Sequence, residues 1–256
     1  RRRDWQLRPS AAASRSWEHQ RLAALYAMAR GEAPLVVAAI DAAVQRCVPE
    51  SVLLESAVTM KTGESYPVET LTARLTAAGY VRCQQVEGPG QFALRGGILD
   101  VFSPAMEQPV RCEFWDDELD AMGAFDVTTQ RRVHNLNETL LLPAGEVLPF
   151  RTVDTAEKAA AALEAAAKKL KRKTDAQPLL RQLESDANAL RQGIAPNGSD
   201  RYLAAVYPEK TTALDYLPEN AIVCVCEGGR VSEGLKGWLW QLKEDVSAAA
   251  ENGFMA

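Results

Sequence analysis

Three short runs of alternating apolar and polar residues, Tyr80 to Glu87, Gly97 to Phe102 and Val110 to Trp115, constrain this chain more than anything else in it. Turn chemistry separates them: Gly88-Pro89-Gly90, Gly96-Gly97 and Ser103-Pro104. Runs of that length bounded by such dipeptides predict an antiparallel meander. In the last run Val110, Cys112 and Phe114 fall on one side while Arg111, Glu113 and Trp115 fall on the other, because strand side chains alternate with period two. One face of the sheet is therefore expected to pack, and the other to meet solvent or a partner.

Around this centre the sequence divides into three units, 1–54, 55–142 and 143–256. In the first, Ser16 is expected to cap a helix that carries Leu22, Leu25, Tyr26 and Ala29 on one stripe and closes at Gly31. The apolar run Leu35 to Ala39 then reads as a strand covered on both faces, and Asp41 as the cap of a short helix. The second unit opens with a helix from Pro67 that carries Val68, Leu71, Leu75 and Ala78 and stops at Gly79. The meander follows, then a strand from Leu119 to Phe125 and a turn at Asp126 to Thr129. One helix against four or five antiparallel strands predicts a small α+β domain.

Past Pro143 the pattern becomes helical. Asp154 with Glu157 resembles a capping box ahead of Ala159, Leu163, Ala166 and Leu170, and a second helix from Pro178 would complete an antiparallel hairpin. Lys168, Lys169, Lys171, Arg172 and Lys173 cluster where cations oppose the negative end of the first helix's dipole. Ala221 to Cys226 reads as another fully apolar strand, followed by a helix capped by Ser232. The first and third units together predict an α/β layer interrupted by the α+β domain.

Composition narrows the chemistry. Lys and Arg number 29 against 34 Asp and Glu, a net charge of −5, so the chain as a whole lacks the electropositive footprint that phosphate neutralisation requires. The five cysteines are odd in number and lie mostly inside expected strands and helices, which suits a reducing cytoplasm better than a disulfide framework. With only His19 and His134 present, both expected at exposed positions, a histidine triad or metal cluster has little to draw on. Cys224 and Cys226 read as small core residues rather than a zinc half-site. Asp116, Asp117, Glu118 and Asp120 read as a solvated hairpin. No Gly-x-x-x-x-Gly-Lys-Ser/Thr sequence exists to hold a triphosphate. The apolar strand that could end in a magnesium-binding aspartate ends instead in Cys226-Glu227-Gly228-Gly229, whose sulfur suits a hard cation poorly.

Gly79-Tyr80, the run Gln85-Val86-Glu87-Gly88-Pro89-Gly90-Gln91-Phe92-Ala93-Leu94-Arg95-Gly96-Gly97-Ile98-Leu99-Asp100-Val101-Phe102, and Arg111 through Glu118 together resemble the UvrB-type interaction domain. Phe125-Asp126 and Gln130-Arg131 continue the likeness, and Pro143-Ala144-Gly145-Glu146 is similar to bacterial transcription-repair coupling factors rather than to UvrB itself. The resemblance implies a degenerate helicase-like (RecA-like) α/β domain, 1–54 and 143–256, with the interaction domain, 55–142, set into it. It implies a non-catalytic fragment in which Cys226 stands where the helicase has its aspartate. ATP and magnesium would belong only to motor domains outside this stretch, as would contacts with RNA polymerase and duplex DNA. The partner implied for the interaction domain is the excision-repair protein UvrA, with Arg82, Phe92, Arg95 and Phe102 as the contact residues. Ala93 stands where UvrB sequences usually carry a second arginine, which implies fewer ion pairs here. The competing reading is a nucleic-acid-binding fragment of the same machinery, resting on the Lys168 to Lys173 cluster and opposed by the net charge.

Overall fold

The computed structural model describes residues 15–170, 177–196 and 198–251. In chain order the elements are α1 (Ser16–Ala29), α2 (Ile40–Val44), α3 (Glu50–Ser56), β1 (Val58–Lys61), α4 (Val68–Ala77), β2 (Val81–Arg82), β3 (Gln91–Arg95), β4 (Ile98–Phe102), β5 (Val110–Trp115), β6 (Glu118–Phe125), β7 (Arg132–Leu136) and β8 (Glu138–Leu141). They are followed by α5 (Val153–Leu170), α6 (Gln177–Arg191), α7 (Leu203–Val206) and α8 (Gly228–Glu251). Of the basic cluster after α5, Lys171, Arg172 and Lys173 lie outside the described residues.

The architecture is α/β with mixed sheets. One sheet has six strands in the order β2-β3-β4-β5-β6-β7, and β1 pairs with β8 in a second, two-stranded sheet. From β3 to β7 every neighbour is antiparallel, as the turn chemistry predicts. Gly97 shows why the β3–β4 turn needs glycine. A Cβ there would stand 2.7 Å from the Phe114 carbonyl, because Phe114 N–H donates to the Gly97 carbonyl at 2.7 Å across the neighbouring strand.

The first alternating run behaves differently from expectation. Only Val81 and Arg82 form a strand, and they pair parallel to β3. The remainder of the run turns back as a loop because Val86 is buried against Ala93, Phe102 and Phe125, with Cys83 and Val127 beside them. A local apolar cluster overrides the strand pattern. The strands β1, β3, β7 and β8 were not anticipated: Val58–Lys61 and Glu138–Leu141 are too short to show a period, Gln91–Arg95 carries apolar residues on both sides of its pleat, and β7 is exposed for most of its length.

Beneath the six-stranded sheet lies α4. Leu71, Leu75 and Ala78 pack with Val58, Met60, Phe92, Leu99, Val101, Val110, Cys112 and Met122 in one core. The register explains the sorting: Leu99, Cys112 and Met122 stand opposite one another on successive strands, so all three point to the helix side. A second core joins residues from both sides of the sheet domain. Leu22, Leu25, Val48 and Leu53 share it with Leu148, Leu163, Leu180, Leu183, Tyr207 and Tyr216, so the stretches before and after the sheet are one packed body.

The joint between the two cores is polar and buried. Arg21 of α1 pairs with Glu146 at 3.0 Å, and neither is more than 5% exposed. Glu146 N–H donates to Glu18 Oε1 at 2.8 Å, His19 Nε2–H donates to the Ala144 carbonyl at 3.3 Å, and Ala144 N–H donates to the Ala78 carbonyl at the end of α4. His19 is thus buried, contrary to its expected exposure, because Ala144 offers the partner its ring needs. The sequence Pro143-Ala144-Gly145-Glu146 is the strip through which α1 grips the sheet domain.

Four helix boundaries shift. Ala39 rather than Asp41 stands at the N-cap of α2. Arg15 rather than Ser16 stands at the N-cap of α1. Thr152, not Asp154, caps α5, its hydroxyl accepting from Thr155 N–H at 3.0 Å while Asp154 pairs with Lys158. The helix expected from Ser232 starts at Gly228. The larger correction concerns the two apolar runs expected as buried strands. Neither Leu35–Ala39 nor Ala221–Cys226 forms a strand, and Val37 and Ile222 are each 90% exposed. Cys224 and Cys226 are likewise at the surface, not in a core. The apolar pattern specifies a segment that can be covered on both sides. It does not by itself supply the cover.

Candidate partner-binding face

The face of the six-stranded sheet opposite α4 is the candidate site. By register Ala93, Asp100, Arg111, Gly123 and Asn135 form one row across it, and Arg95, Ile98, Glu113 and Ala121 the next. The loop carrying Val86 closes over one end of this face, around Phe102 and Phe125. The other end, with Ile98, Glu113 and Trp115, stays open.

Asp100 organises the chemistry. Its carboxylate is 1% exposed and accepts three charge-assisted hydrogen bonds: Arg111 Nε on Oδ1 at 2.6 Å, Arg111 Nη2 on Oδ2 at 2.8 Å and Arg95 Nη2 on Oδ2 at 2.7 Å. The Arg111 fork is bidentate, the strongest geometry for such a pair. Arg111 also donates to the Gln130 carbonyl and side-chain oxygen, both at 3.2 Å, and its guanidinium lies 4.6 Å from the Phe125 ring centroid. Hydrogen bonding to Asp100 pushes the Arg111 pKa further up, so it is cationic at any working pH.

Arg95 differs. It holds Asp100 with one nitrogen and the Gln84 carbonyl with another at 3.3 Å, yet its side chain is 49% exposed. Two arginines share one carboxylate, so this three-residue cluster carries one surplus positive charge, and Arg95 presents it to solvent. A side chain held at its root in this way loses less rotamer entropy on meeting a partner than a free one.

The four sequence-derived contact residues are not brought together. Arg82 is exposed at the sheet edge, but its pairing with Phe92 places it on the helix side of the pleat, the opposite side from Arg95. Phe92 is 1% exposed and belongs to the core over α4. Phe102 points to the candidate face but is buried under the Val86 loop. The expectation of an exposed aromatic at these two positions is corrected: both rings pack internally, because each has an apolar neighbour across the strand or loop. The exposed aromatic on this face is Trp115, 82% exposed at the end of β5. Asp100 and Arg111 were passed over as well. The alternation put Arg111 and Trp115 on the outward side, but only register shows Asp100 opposite Arg111.

Beyond this face, no group of three or more His, Cys, Asp or Glu among the described residues is arranged to hold a metal ion. No helix among them is long and apolar enough to cross a membrane.

One open face of this small helix-backed sheet thus carries a buried carboxylate, two arginines anchored on it and an exposed tryptophan. Residues 58–146, the span from β1 to the Glu146 joint, match the family model of the UvrB interaction domain. Relatives extend the likeness over most of the chain. It is 32% identical over 225 residues to the transcription-repair-coupling factor of Bacillus subtilis, covering 87% of this chain and 19% of that protein. It is 31% identical over 237 residues to the one of Myxococcus xanthus, covering 91% and 19%. The Escherichia coli protein of the same name is 34% identical over 148 residues, 56% of this chain and 13% of that one. The chain therefore spans about a fifth of the length of the first two relatives.

Proposed function

We propose that this chain is the UvrB-homology portion of a bacterial transcription-repair coupling factor and serves as a non-catalytic scaffold that recruits UvrA to a stalled transcription complex. The observation that carries this reading is the coincidence of a UvrB interaction domain match with an open sheet face on which buried Asp100 anchors Arg95. An arginine fork and a neighbouring apolar surface are the side-chain classes enriched at interface hot spots. The stretches 1–54 and 143–256 are the two halves of a degenerate helicase-like (RecA-like) domain into which the interaction domain, 55–142, is set. Their shared core supports that division. The sequence lacks a phosphate loop, so ATP and magnesium belong to motor domains of the longer protein, along with RNA polymerase and duplex DNA contacts. The setting is cytoplasmic.

The test is titration of the chain with UvrA by calorimetry. Binding is expected for the wild type, and Arg82→Glu with Arg95→Glu is expected to abolish it while circular dichroism stays unchanged. Unaltered affinity in that double variant overturns the assignment of the contact. Because the two arginines lie on opposite sides of the pleat, the single variants separate them, and Arg95→Glu is expected to carry the larger loss.

A further inference from the structure

On the α4 side of the six-stranded sheet, away from the arginine-bearing face, a crevice of about 200 Å³ opens where the sheet domain meets the helical body that α1, α3 and α5 share. Three pieces of chain wall it: the last turn of α4 with Arg74, the end of α3 with Glu55 and Ser56, and Arg151-Thr152 just ahead of α5. They meet because β1 pairs with β8, so the chain leaves the helical body and returns to it at neighbouring points. The charges of the walls do not cancel. Arg151 Nη1 donates to Glu55 at 2.8 Å, but Glu55 is 63% exposed, so water screens the pair and it is worth little. Arg151 Nε is buried and has no acceptor. The Arg74 side chain makes no ion pair or hydrogen bond among the described residues, nor does the Ser56 hydroxyl. Asp154, the next carboxylate along the chain, is taken up by Lys158.

We infer that this crevice is an anion site for a phosphate dianion, free or carried as a phosphate monoester, held between Arg74 of the sheet domain and Arg151 of the helical body. Guanidinium forks suit phosphate oxygens bidentately, and the Ser56 hydroxyl adds a neutral donor. The donors arrive from three directions, which a tetrahedral anion serves better than a flat carboxylate. Glu55 competes for the Arg151 fork, and being exposed it yields at little cost. Size sets the upper limit: pockets for drug-sized molecules begin at about 300 Å³, so the crevice takes a phosphate group with a few further atoms rather than a nucleotide. Because the two arginines belong to different units, the bound anion pins α4 to the start of α5 and tightens the joint that Arg21 and Glu146 make. The site is separate from the UvrA reading, since α4 and the core around it lie between the crevice and the outer face of the sheet.

The experiment is thermal unfolding of the whole 256-residue chain in a titration of inorganic phosphate, with sodium chloride holding the ionic strength constant. A ligand bound by the folded state alone raises the melting temperature as its concentration rises, here by about 3–6 °C at ten times the dissociation constant. Acetate at the same ionic strength is expected to leave it unchanged. Arg74→Gln is expected to weaken phosphate about tenfold, the effect of losing a charge-assisted hydrogen bond, and Glu55→Gln to tighten it about threefold by removing the competing carboxylate. Arg74 has no partner to lose and Glu55 is at the surface, so both variants are expected to fold, with a melting temperature in chloride alone close to that of the wild type. No shift with phosphate, an equal shift in Arg74→Gln, or weaker phosphate binding in Glu55→Gln overturns the inference. Glycerol phosphate run in parallel names the source: binding tighter than that of the free ion identifies a phosphate monoester, and weaker binding identifies inorganic phosphate. A thymidine oligonucleotide without terminal phosphates that raises the melting temperature as much as phosphate does overturns the choice of a dianion. None of these arms uses UvrA, so the outcome is independent of the function proposed above.

Discussion

Replacing Asp100 by asparagine is the sharpest probe of the candidate face. Asparagine keeps the shape of the side chain but removes the charge and turns one acceptor oxygen into a donor that faces arginine N–H groups. Of the three hydrogen bonds lost or weakened, two come from Arg111, which is only 21% exposed and cannot recover them from water. Leaving a largely buried ion unpaired costs about 3–5 kcal/mol. Arg95 is half-exposed and re-solvates, so its share is at most about 1 kcal/mol. The expected loss is about 3–4 kcal/mol, a fall in melting temperature of roughly 6–15 °C for a chain of this size. The assay is urea unfolding with a double-mutant cycle. Asp100→Asn combined with Arg111→Met should show a coupling of about 2 kcal/mol or more, and with Arg95→Met less than about 1 kcal/mol. A loss below about 1 kcal/mol for Asp100→Asn, or stronger coupling to Arg95 than to Arg111, refutes the account of Asp100 as the buried anchor.

The thiols give an independent check on the packing: burial pushes Cys47 and Cys112 up to about 12, so at pH 7.5 a disulfide reagent should titrate Cys224 and Cys226 quickly, Cys83 more slowly, and the two buried thiols only after unfolding. Burial lowers the pKa of His19 below its ordinary 6.5, so its neutral form is the folded form. The stability it contributes is present above that value and is lost as pH falls below it. Denaturation followed from pH 7.5 to pH 5 should show a loss that His19→Gln removes in part. The exposed apolar runs are tested by Val37→Asp and Ile222→Asp, each expected to change stability by less than about 0.5 kcal/mol. A buried strand at either place would lose several times that.

The meander was legible because its signals are local. Alternation in Val110 to Trp115 and the glycines at 96 and 97 each act within a few residues, and β4 to β6 formed where they pointed. The run from Tyr80 failed for the opposite reason. Val86 finds Phe102 and Phe125, distant in sequence, and that contact outweighs the strand pattern around it. The same limit governed the site. Side-chain type marked Arg82, Phe92, Arg95 and Phe102, but whether each is reachable depends on what covers it.

By itself, then, the order of residues determined that this chain carries a short-stranded sheet backed by the Pro67–Ala78 helix, with a helical hairpin beyond it and one sheet face rich in charge. Periodicity and turn chemistry act between near neighbours and need no knowledge of the fold. Only the tertiary structure decided that Asp100 binds two arginines, that Phe92 and Phe102 are sealed away, and that Arg74 and Arg151 meet at one crevice. Those facts depend on strand register and on the joint between the two cores, and register is settled by the packing of both faces at once.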